Sequence, residues 1–232
     1  IRDLARPLAD GDQIAILTER DAEALPVLRH SAAHILATAV RSIFPGAGIG
    51  FGPAIDEGFY YDFDVPRPFT PEDLEALEKA MAEAIAADYP FVREVVSRDE
   101  ANARFADDPL KLERLDDFDG SDEIISTYTD GPFIDLCRGP HVQDTSYLKH
   151  FKLMKVAGAY WRGDHRNEQL QRVYGTAWTT KEDLAQYLHR LRPLLELGHQ
   201  LGVETGQLDL GIPQFQLARR GVGLGIVPVE VA

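Results

Sequence analysis

Apolar residues recur at helical spacing in three parts of this sequence. The first part, residues 30–44, ends at a Pro-Gly pair that interrupts the pattern. The second starts at Thr70, an N-cap threonine followed by proline and two acidic residues. The third opens at Thr180 and runs toward Gly198. Each part is predicted to form a helix that buries one apolar face.

Shorter runs of β-branched and aromatic residues, separated by turn residues, predict strands. They lie at residues 49–55, 59–63, 91–96, 124–129 and 133–136. The turn Asp130-Gly131 joins the last two as a hairpin, and a capping sequence at Ser97 predicts a short helix before them. Tyr60 and Tyr61 are adjacent in one strand and must point to opposite faces, so only one of them can face a pocket.

Three stretches have weaker patterns. Residues 1–28 contain one short strand pattern, Gln13–Leu17, and are too few to form a domain of their own. Residues 106–123 are acidic and indicate a loop around Lys111, whereas 202–232 are rich in glycine, and no structure is predicted for them. The chain begins at Ile1, and we expect it to be a fragment, a processed product or a trimmed form.

The single cysteine stands in the segment Asp135-Leu136-Cys137-Arg138-Gly139-Pro140-His141, four residues before a histidine. His30 and His34 repeat this spacing near the start of the first predicted helix, where residues i and i+4 share one face. Two such pairs of nitrogen and sulfur ligands suit either a metal tetrad or a polar pocket without metal. The residues alone leave both interpretations open.

Composition limits the possible functions. The 232 residues are 44% hydrophobic, enough for a substantial core, and no apolar run approaches the roughly 20 residues of a membrane span. No phosphate-binding loop of the GxxxxGK[ST] type is present, so nucleotide hydrolysis has no support. A single cysteine suits a reducing compartment, and we expect a cytoplasmic protein.

Charge is unevenly distributed along the chain. The whole chain carries −14, which argues against a nucleic-acid partner, because phosphate binding needs lysine and arginine. Residues 137–178, however, contain seven basic and three acidic residues, a net charge of +4, with tyrosine and tryptophan interleaved. This segment is either a surface that contacts a nucleic-acid backbone or an ordinary solvated sheet face.

Four segments together carry a family resemblance: residues 30–34, 52–63, 135–141 and 151–178, the last including Tyr160-Trp161-Arg162-Gly163-Asp164. They resemble the amino-terminal editing domain of bacterial threonyl-tRNA synthetases, and the resemblance extends from residue 1 to about 195. It implies an α+β fold in which an antiparallel sheet packs against helices.

The resemblance also implies how the chain is divided. Residues 1–28 correspond to the end of the small TGS domain, 29–178 to the tRNA editing domain, 179–201 to a linker helix, and 202–232 to a divergent tail. After Leu195 the family continues into its catalytic core, and this sequence does not. We therefore expect that the chain cannot ligate an amino acid to tRNA by itself.

The activity implied by the resemblance is hydrolysis of tRNA(Thr) wrongly charged with serine. Serine lacks one methyl group of threonine, and a methyl group is worth only about 1–3 kcal/mol in a binding pocket, so a second selection step is needed. His30 would polarise the attacking water or relay its proton, and Lys111 would act as a cation or proton donor near the developing negative charge. Asp135 would hold the substrate's amino group or order that network.

The resemblance assigns the remaining site residues to the pocket wall. Tyr61 would contact the substrate, and Cys137, His34 and His141 would line the pocket. We expect no metal to be required, although the four residues of the two pairs could bind Zn²⁺. The acidic neighbours of Lys111 in sequence favour its charged form, which suits electrostatic support.

The implied partners are the acceptor stem and 3′ end of tRNA(Thr) and, for a fragment, the rest of a threonyl-tRNA synthetase; no membrane partner is expected. Two alternatives stay open. One is an acceptor-stem binding module without catalytic activity. The other is a zinc-dependent deacylase that acts in trans, as in alanyl-tRNA editing proteins, which share both ligand spacings.

Overall fold

The structure is a computed structural model that describes residues 1, 4, 7–119 and 123–200, with side chains up to residue 193. The helices are α1 (Leu25–Ile43), α2 (Pro71–Ala86), α3 (Arg98–Arg104), α4 (Pro109–Asp116) and α5 (Lys181–Gln200). The strands are β1 (Gly48–Ile49), β2 (Ala54–Ile55), β3 (Gly58–Asp64), β4 (Phe91–Val95), β5 (Ser126–Asp130), β6 (Phe133–Leu136), β7 (His150–Tyr160) and β8 (Gln169–Trp178). The expected divergent tail, 202–232, lies outside the described residues.

The strands form two antiparallel sheets. In the first sheet the order is β1-β3-β8-β7, and β2 also pairs with β3. In the second the order is β4-β5-β6, in which β5 and β6 are the predicted hairpin. The α+β class with antiparallel strands and packed helices is therefore confirmed.

Helix α1 packs across the first sheet and forms the main core with it. Along β3, Phe59, Tyr61 and Phe63 are fully buried in this core. Tyr60 lies on the opposite face, where the guanidinium of Arg172 stacks on its ring at 3.8 Å. Tyr61 is thus the member of the pair that faces α1, as the alternation of strand side chains requires.

The region between α1 and β3 differs from the predicted single strand at residues 49–55. β1 ends at Ile49, and β2 begins only at Ala54. Between them Gly52 lies so close to the Tyr61 ring that a Cβ atom at this position would be 2.1 Å from a ring carbon. Such an approach of backbone to ring is possible only without a side chain, and it interrupts the strand.

Two further predictions from the apolar pattern are wrong. Helix α1 begins at Leu25 rather than near residue 30, because Pro26 in its first turn provides a start that apolar spacing does not reveal. Residues 13–17 form no strand: Ile14 and Ile16 are exposed, and no strand of the described residues pairs with them. An alternating pattern becomes a strand only where a neighbour supplies hydrogen bonds.

Helix α4 replaces the acidic loop expected at residues 106–123. It starts at Pro109, which suits the first helical position, and buries Leu110 and Leu115 against the rest of the domain. Lys111 is buried on the same helix, only 4% exposed. The prediction of a loop around Lys111 is therefore wrong.

Helix α5 confirms the helix predicted after Thr180. Thr180 caps it by accepting a hydrogen bond from Asp183 N at 3.1 Å. Tyr187 packs on Trp178 with 5.2 Å between ring centres, and Arg190 pairs with Glu57 in the turn before β3. Its role as a linker and the domain boundaries stay predictions. None of the helices in the described residues is both long and apolar enough to cross a membrane.

Candidate active site

The two sequence pairs meet in one place. His30 and His34 lie one turn apart on α1, while β6 ends at Leu136 and delivers Cys137, with His141 four residues further along the loop. One nitrogen or sulfur atom from each of these four side chains lies within 4.8 Å of the others. The structure therefore brings together the residues that their spacing singled out.

The thiol of Cys137 lies between two imidazoles. Its Sγ is 3.4 Å from Nε2 of His30 and 3.4 Å from Nε2 of His141, and the backbone N–H of Gly139 donates to it at 3.2 Å. Burial raises the pKa of the thiol to about 12, so the thiol stays protonated at neutral pH. A buried, protonated thiol is a poor nucleophile.

The contacts of the other ring nitrogens assign the protons of His30 and His141. Nδ1 of His30 is 3.3 Å from the carbonyl oxygen of Pro140, which can only accept, so Nδ1 carries the hydrogen. The hydroxyl of Ser31 donates to the helix backbone at 2.9 Å and therefore accepts from Nδ1 of His141 at 3.0 Å. In both residues Nε2 then has a lone pair directed toward the thiol.

The three histidines of this cluster, His30, His34 and His141, are neutral at pH 7. Burial lowers the pKa of His30, brings that of His34 down to about 3, and lowers that of His141 well below its usual value. The rings also contact one another, with 4.3 Å between the stacked centres of His30 and His141. A neutral His30 can accept a proton, which a general base must do.

Asp135 is the centre of a buried network beside the histidines. Lys111 Nζ forms an ion pair with one carboxylate oxygen, Tyr61 OH donates to the other at 2.5 Å, and Nε2 of His34 lies 3.5 Å from that second oxygen. Burial alone would raise the pKa of Asp135, but Lys111, His34 and Tyr61 outweigh it and the pKa is lowered. Because both oxygens are engaged, these contacts favour the role of ordering the network over capture of an amino group.

Lys111 reaches this network from α4. Its ammonium donates to the carbonyl of Gly50 at 3.0 Å and to Tyr61 OH at 3.1 Å, in addition to the ion pair with Asp135. The cation is therefore fixed at a buried position by three oxygen atoms from separate elements. A cation held in this way can stabilise negative charge without reorganising.

These groups line the buried end of a cavity of about 430 Å³. Cavities of a few hundred Å³ hold ligands larger than an amino acid. The more exposed end is lined by Phe51 and Phe118, each with an arginine over its ring: Arg114 at 5.2 Å and Arg138 at 5.5 Å from the ring centres. The cavity thus combines acid–base groups at one end with aromatic and cationic groups at the other.

The basic segment 137–178 does not form a free positive surface. Five of its seven basic side chains are ion-paired with acids: Arg138 with Glu123, Lys152 with Glu78, Arg162 with Glu113, Arg166 with Asp164, and Arg172 with Asp62. These pairs favour the interpretation as an ordinary solvated face. The end of the cavity lined by Phe51 and Phe118 is the better candidate for a contact with nucleic acid because aromatic rings can stack on bases; its arginines are themselves paired, Arg114 with Asp117 and Arg138 with Glu123.

Three residues that shape the site were missed by sequence reasoning. Ser31 orients His141, Pro140 orients His30, and Gly50 supplies a carbonyl to Lys111. Ser31 and Pro140 are adjacent in sequence to His30 and His141, so contacts with these histidines could have been predicted from the sequence. The contact of Gly50 could not be predicted in this way, because its partner Lys111 lies 61 positions away on a helix that the pattern did not predict.

The four clustered side chains also fit a zinc ion. Zinc prefers nitrogen and sulfur ligands, and metal-bound histidines commonly donate their other ring N–H to a carbonyl, hydroxyl or carboxylate oxygen. Oxygen atoms of these three kinds lie beside the histidines, in Pro140, Ser31 and Asp135. The expectation that no metal is required stays a prediction.

Comparison with known proteins points to one family. Residues 125–174 match the family described as the threonyl and alanyl tRNA synthetase second additional domain. Over 189 residues the chain is 58% identical to the threonine–tRNA ligase of Dechloromonas aromatica. The chain is related to part of the threonyl-tRNA synthetases. A second threonyl-tRNA synthetase, from Acidovorax ebreus, is 54% identical over 211 residues.

The chain covers only part of these threonyl-tRNA synthetases. The two alignments include 81% and 90% of this chain but 30% and 32% of the ligases. The ligase of Delftia acidovorans gives the same result, with 57% identity over 200 residues, 85% of this chain and 30% of the ligase. The chain therefore spans about 30% of the length of the synthetases it matches.

Proposed function

We propose that this chain hydrolyses the ester of seryl-tRNA(Thr), as the editing part of a threonine–tRNA ligase. One observation carries the proposal: a neutral histidine, His30, lines the same cavity as the buried ammonium–carboxylate pair of Lys111 and Asp135. Ester hydrolysis needs a positioned water, a proton acceptor and support for the tetrahedral oxyanion. These three residues offer an acceptor and a fixed cation within one site.

His30 is proposed to orient the attacking water and to take its proton on Nε2, while the single S–H of Cys137 is directed to Nε2 of His141. The water oxygen then bonds to the carbonyl carbon of the seryl ester and leaves a tetrahedral oxyanion. As this intermediate collapses, the bond to the ribose oxygen breaks, and that oxygen receives the proton from His30. The products are serine and uncharged tRNA(Thr), and His30 returns to its neutral form.

Lys111 is proposed to stabilise the oxyanion, and Asp135 to keep the ammonium in place. Tyr61, which is hydrogen-bonded to both Lys111 and Asp135, would contact the substrate. His34, Cys137 and His141 would form the pocket wall beside the substrate. Each of these side chains belongs to a packed element or a hydrogen-bonded loop. A close-packed wall resists expansion, which supports rejection of a substrate with one additional methyl group.

The RNA part of the substrate is proposed to lie at the exposed end of the cavity. Phe51 and Phe118 can stack on bases near the 3′ end, and Arg114 and Arg138 would approach phosphates by exchanging their present partners, Asp117 and Glu123, for them. Stacking of one base on an aromatic side chain is worth about 1–3 kcal/mol and does not depend on sequence. The acceptor stem would then extend outward from this end.

Deacylation of purified Ser-tRNA(Thr) tests the proposal, with Thr-tRNA(Thr) as the substrate to be spared. Release of serine, with threonine left on its tRNA, supports it. Equal rates of serine release with and without the protein overturn it. Binding of the acceptor stem without any hydrolysis would then select the non-catalytic module.

A zinc-dependent deacylase is the second candidate, favoured by the close approach of four ligand atoms. His30, His34, Cys137 and His141 would hold the ion, which would supply a Lewis acid and an activated water. Metal analysis before and after chelation, with hydrolysis of Ser-tRNA(Thr) and Ala-tRNA(Ala) measured on both samples, separates the candidates. Hydrolysis that vanishes with the metal and returns when zinc is added selects this one.

A further inference from the structure

Helix α1 carries polar side chains along one stripe that continues past the candidate site. His30, His34, Thr38 and Arg41 follow one another at intervals of four or three residues and so lie on one face of the helix. Arg41, at the far end, pairs with Asp108 at 2.5 Å. The helix that carries both site histidines is therefore tied directly to the start of α4.

Asp108 precedes α4 but does not cap it with its side chain. Its backbone carbonyl accepts from Leu112 N at 3.1 Å, which is the first bond of the helix. One carboxylate oxygen, Oδ2, accepts from Arg41 at 2.5 Å and from the backbone N–H of Ile49 at 3.2 Å. An aspartate at this position usually bonds to the first turn of its own helix. Here two contacts to other elements replace that local bond.

Asp108 and Lys111 together hold the backbone at residues 49–50 by two hydrogen bonds. The N–H of Ile49 donates to Asp108, and the carbonyl of the next residue, Gly50, accepts from Lys111. Asp108 immediately precedes α4 and Lys111 lies in its first turn, and their side chains reach adjacent residues of this segment. The place of the Lys111 ammonium beside Asp135 therefore depends on the contact that Asp108 makes.

We propose that Asp108, held by Arg41, is a positioning residue for Lys111. Asp108 does not line the cavity of the candidate site; it lines a separate cavity of about 460 Å³ that Lys111 also borders. It therefore acts on the proposed reaction through α4 and the backbone at residues 49–50, without touching the substrate. The kinetic part of this inference rests on the proposed function, whereas the placement of Lys111 does not.

Chemical labelling of Lys111 in the folded protein tests the placement. An amine-acylating reagent, with mass spectrometry to locate the label, is applied to wild type, Asp108→Ala, Asp108→Asn and Asp107→Ala. Asp108→Ala is expected to raise labelling of Lys111 several-fold relative to the surface residue Lys79. Asp107 is the exposed neighbour, so Asp107→Ala is expected to change nothing. Equal labelling of Lys111 in all four proteins overturns the proposal.

Kinetics on Ser-tRNA(Thr) test the consequence. Asp108→Ala is expected to lower kcat by about tenfold to a hundredfold with KM little changed, because displacement of a catalytic group by about 1 Å has effects of this size. Asp108→Asn keeps an acceptor for the Ile49 N–H and is expected to recover most of the rate. An unchanged kcat in Asp108→Ala, with Lys111 labelling raised, overturns the proposal.

Two controls keep the outcomes separate. If the wild type hydrolyses no seryl ester, the proposed function fails, and the labelling of Lys111 still decides whether Asp108 holds it. If Asp108→Ala does not fold, Arg41→Gln removes the ion pair with Asp108 by changing its partner on α1. Arg41→Gln is then expected to raise Lys111 labelling to a smaller extent, and no rise in that variant overturns the proposal.

Discussion

Lys111 and Asp135 form an ion pair in which both side chains are almost completely buried, at 5% and 2% exposed. Loss of one partner from such a pair leaves an unpaired charge in the interior and costs about 3–5 kcal/mol, whereas replacement of both partners by neutral groups costs less. The pair therefore links the stability of this domain to its proposed chemistry.

Lys111→Met is expected to lower the free energy of unfolding by about 3–5 kcal/mol and to abolish hydrolysis of the seryl ester. Addition of Asp135→Asn to the same protein is expected to restore part of the stability and none of the hydrolysis. Urea denaturation of both proteins gives the comparison, with Lys79→Met on the surface of α2 as the control. Wild-type stability in Lys111→Met would contradict the ion pair.

His30→Ala is expected to reduce kcat for Ser-tRNA(Thr) by about 10²–10⁴, the usual contribution of a general base, with a smaller effect on KM. The His165 side chain is 84% exposed and does not line the cavity of the candidate site, so His165→Ala serves as the matched control. Single-turnover deacylation measures both variants. A comparable loss in His165→Ala, or none in His30→Ala, would remove His30 from the mechanism.

Cys137→Ala is expected to keep most of the hydrolytic rate, because a thiol with a pKa of about 12 supplies almost no thiolate at neutral pH. For the same reason, alkylation of Cys137 by iodoacetamide is expected to be much slower in the folded protein than in urea. Deacylation rates and alkylation rates are measured on the same preparation. A loss as large as that of His30→Ala would instead indicate a covalent or metal-binding role.

Acidification is expected to destabilise the fold from about pH 6.5 downward. The ordinary pKa of His34, 6.5, falls to about 3 in the folded protein, so between these values the unfolded chain binds a proton that the folded chain does not. The free energy of unfolding is then highest above this window and decreases as the pH falls through it. Urea denaturation at several pH values is expected to show a shallower decrease for His34→Asn than for His165→Asn, and equal slopes would contradict this account.

The candidate site was predictable where its residues lie close together in sequence. Helical spacing placed His30 and His34 on one face, and the same interval recurs at Cys137 and His141, so each pair was visible as a unit. The alternation of β3 limited the choice to one of two adjacent tyrosines. That the two pairs meet depends on how α1 crosses the hairpin, which no local pattern encodes; the equal spacing of the two pairs suggested it, and the family resemblance implied it.

Lys111 shows where local pattern fails. Its helix is short and acidic, and Pro109 is its main start signal, so the sequence pattern predicted a loop. The contacts that bury Lys111 come from Gly50, Tyr61 and Asp135, all distant in sequence. Tertiary packing therefore decided its environment. The resemblance named the residue, and the structure supplies a physical reason for it.

The bare backbone at Gly52 limits how far the phenol of Tyr61 can move. The ring rests against this backbone, and its hydroxyl remains directed at the Asp135 carboxylate. A single methyl group in place of a hydrogen at this position would push the ring aside and leave that carboxylate short of a donor. Gly52 has no functional group, yet it allows Tyr61 to keep its hydrogen bond to Asp135. Gly52→Ala would therefore disturb the site although Gly52 takes no part in the proposed reaction.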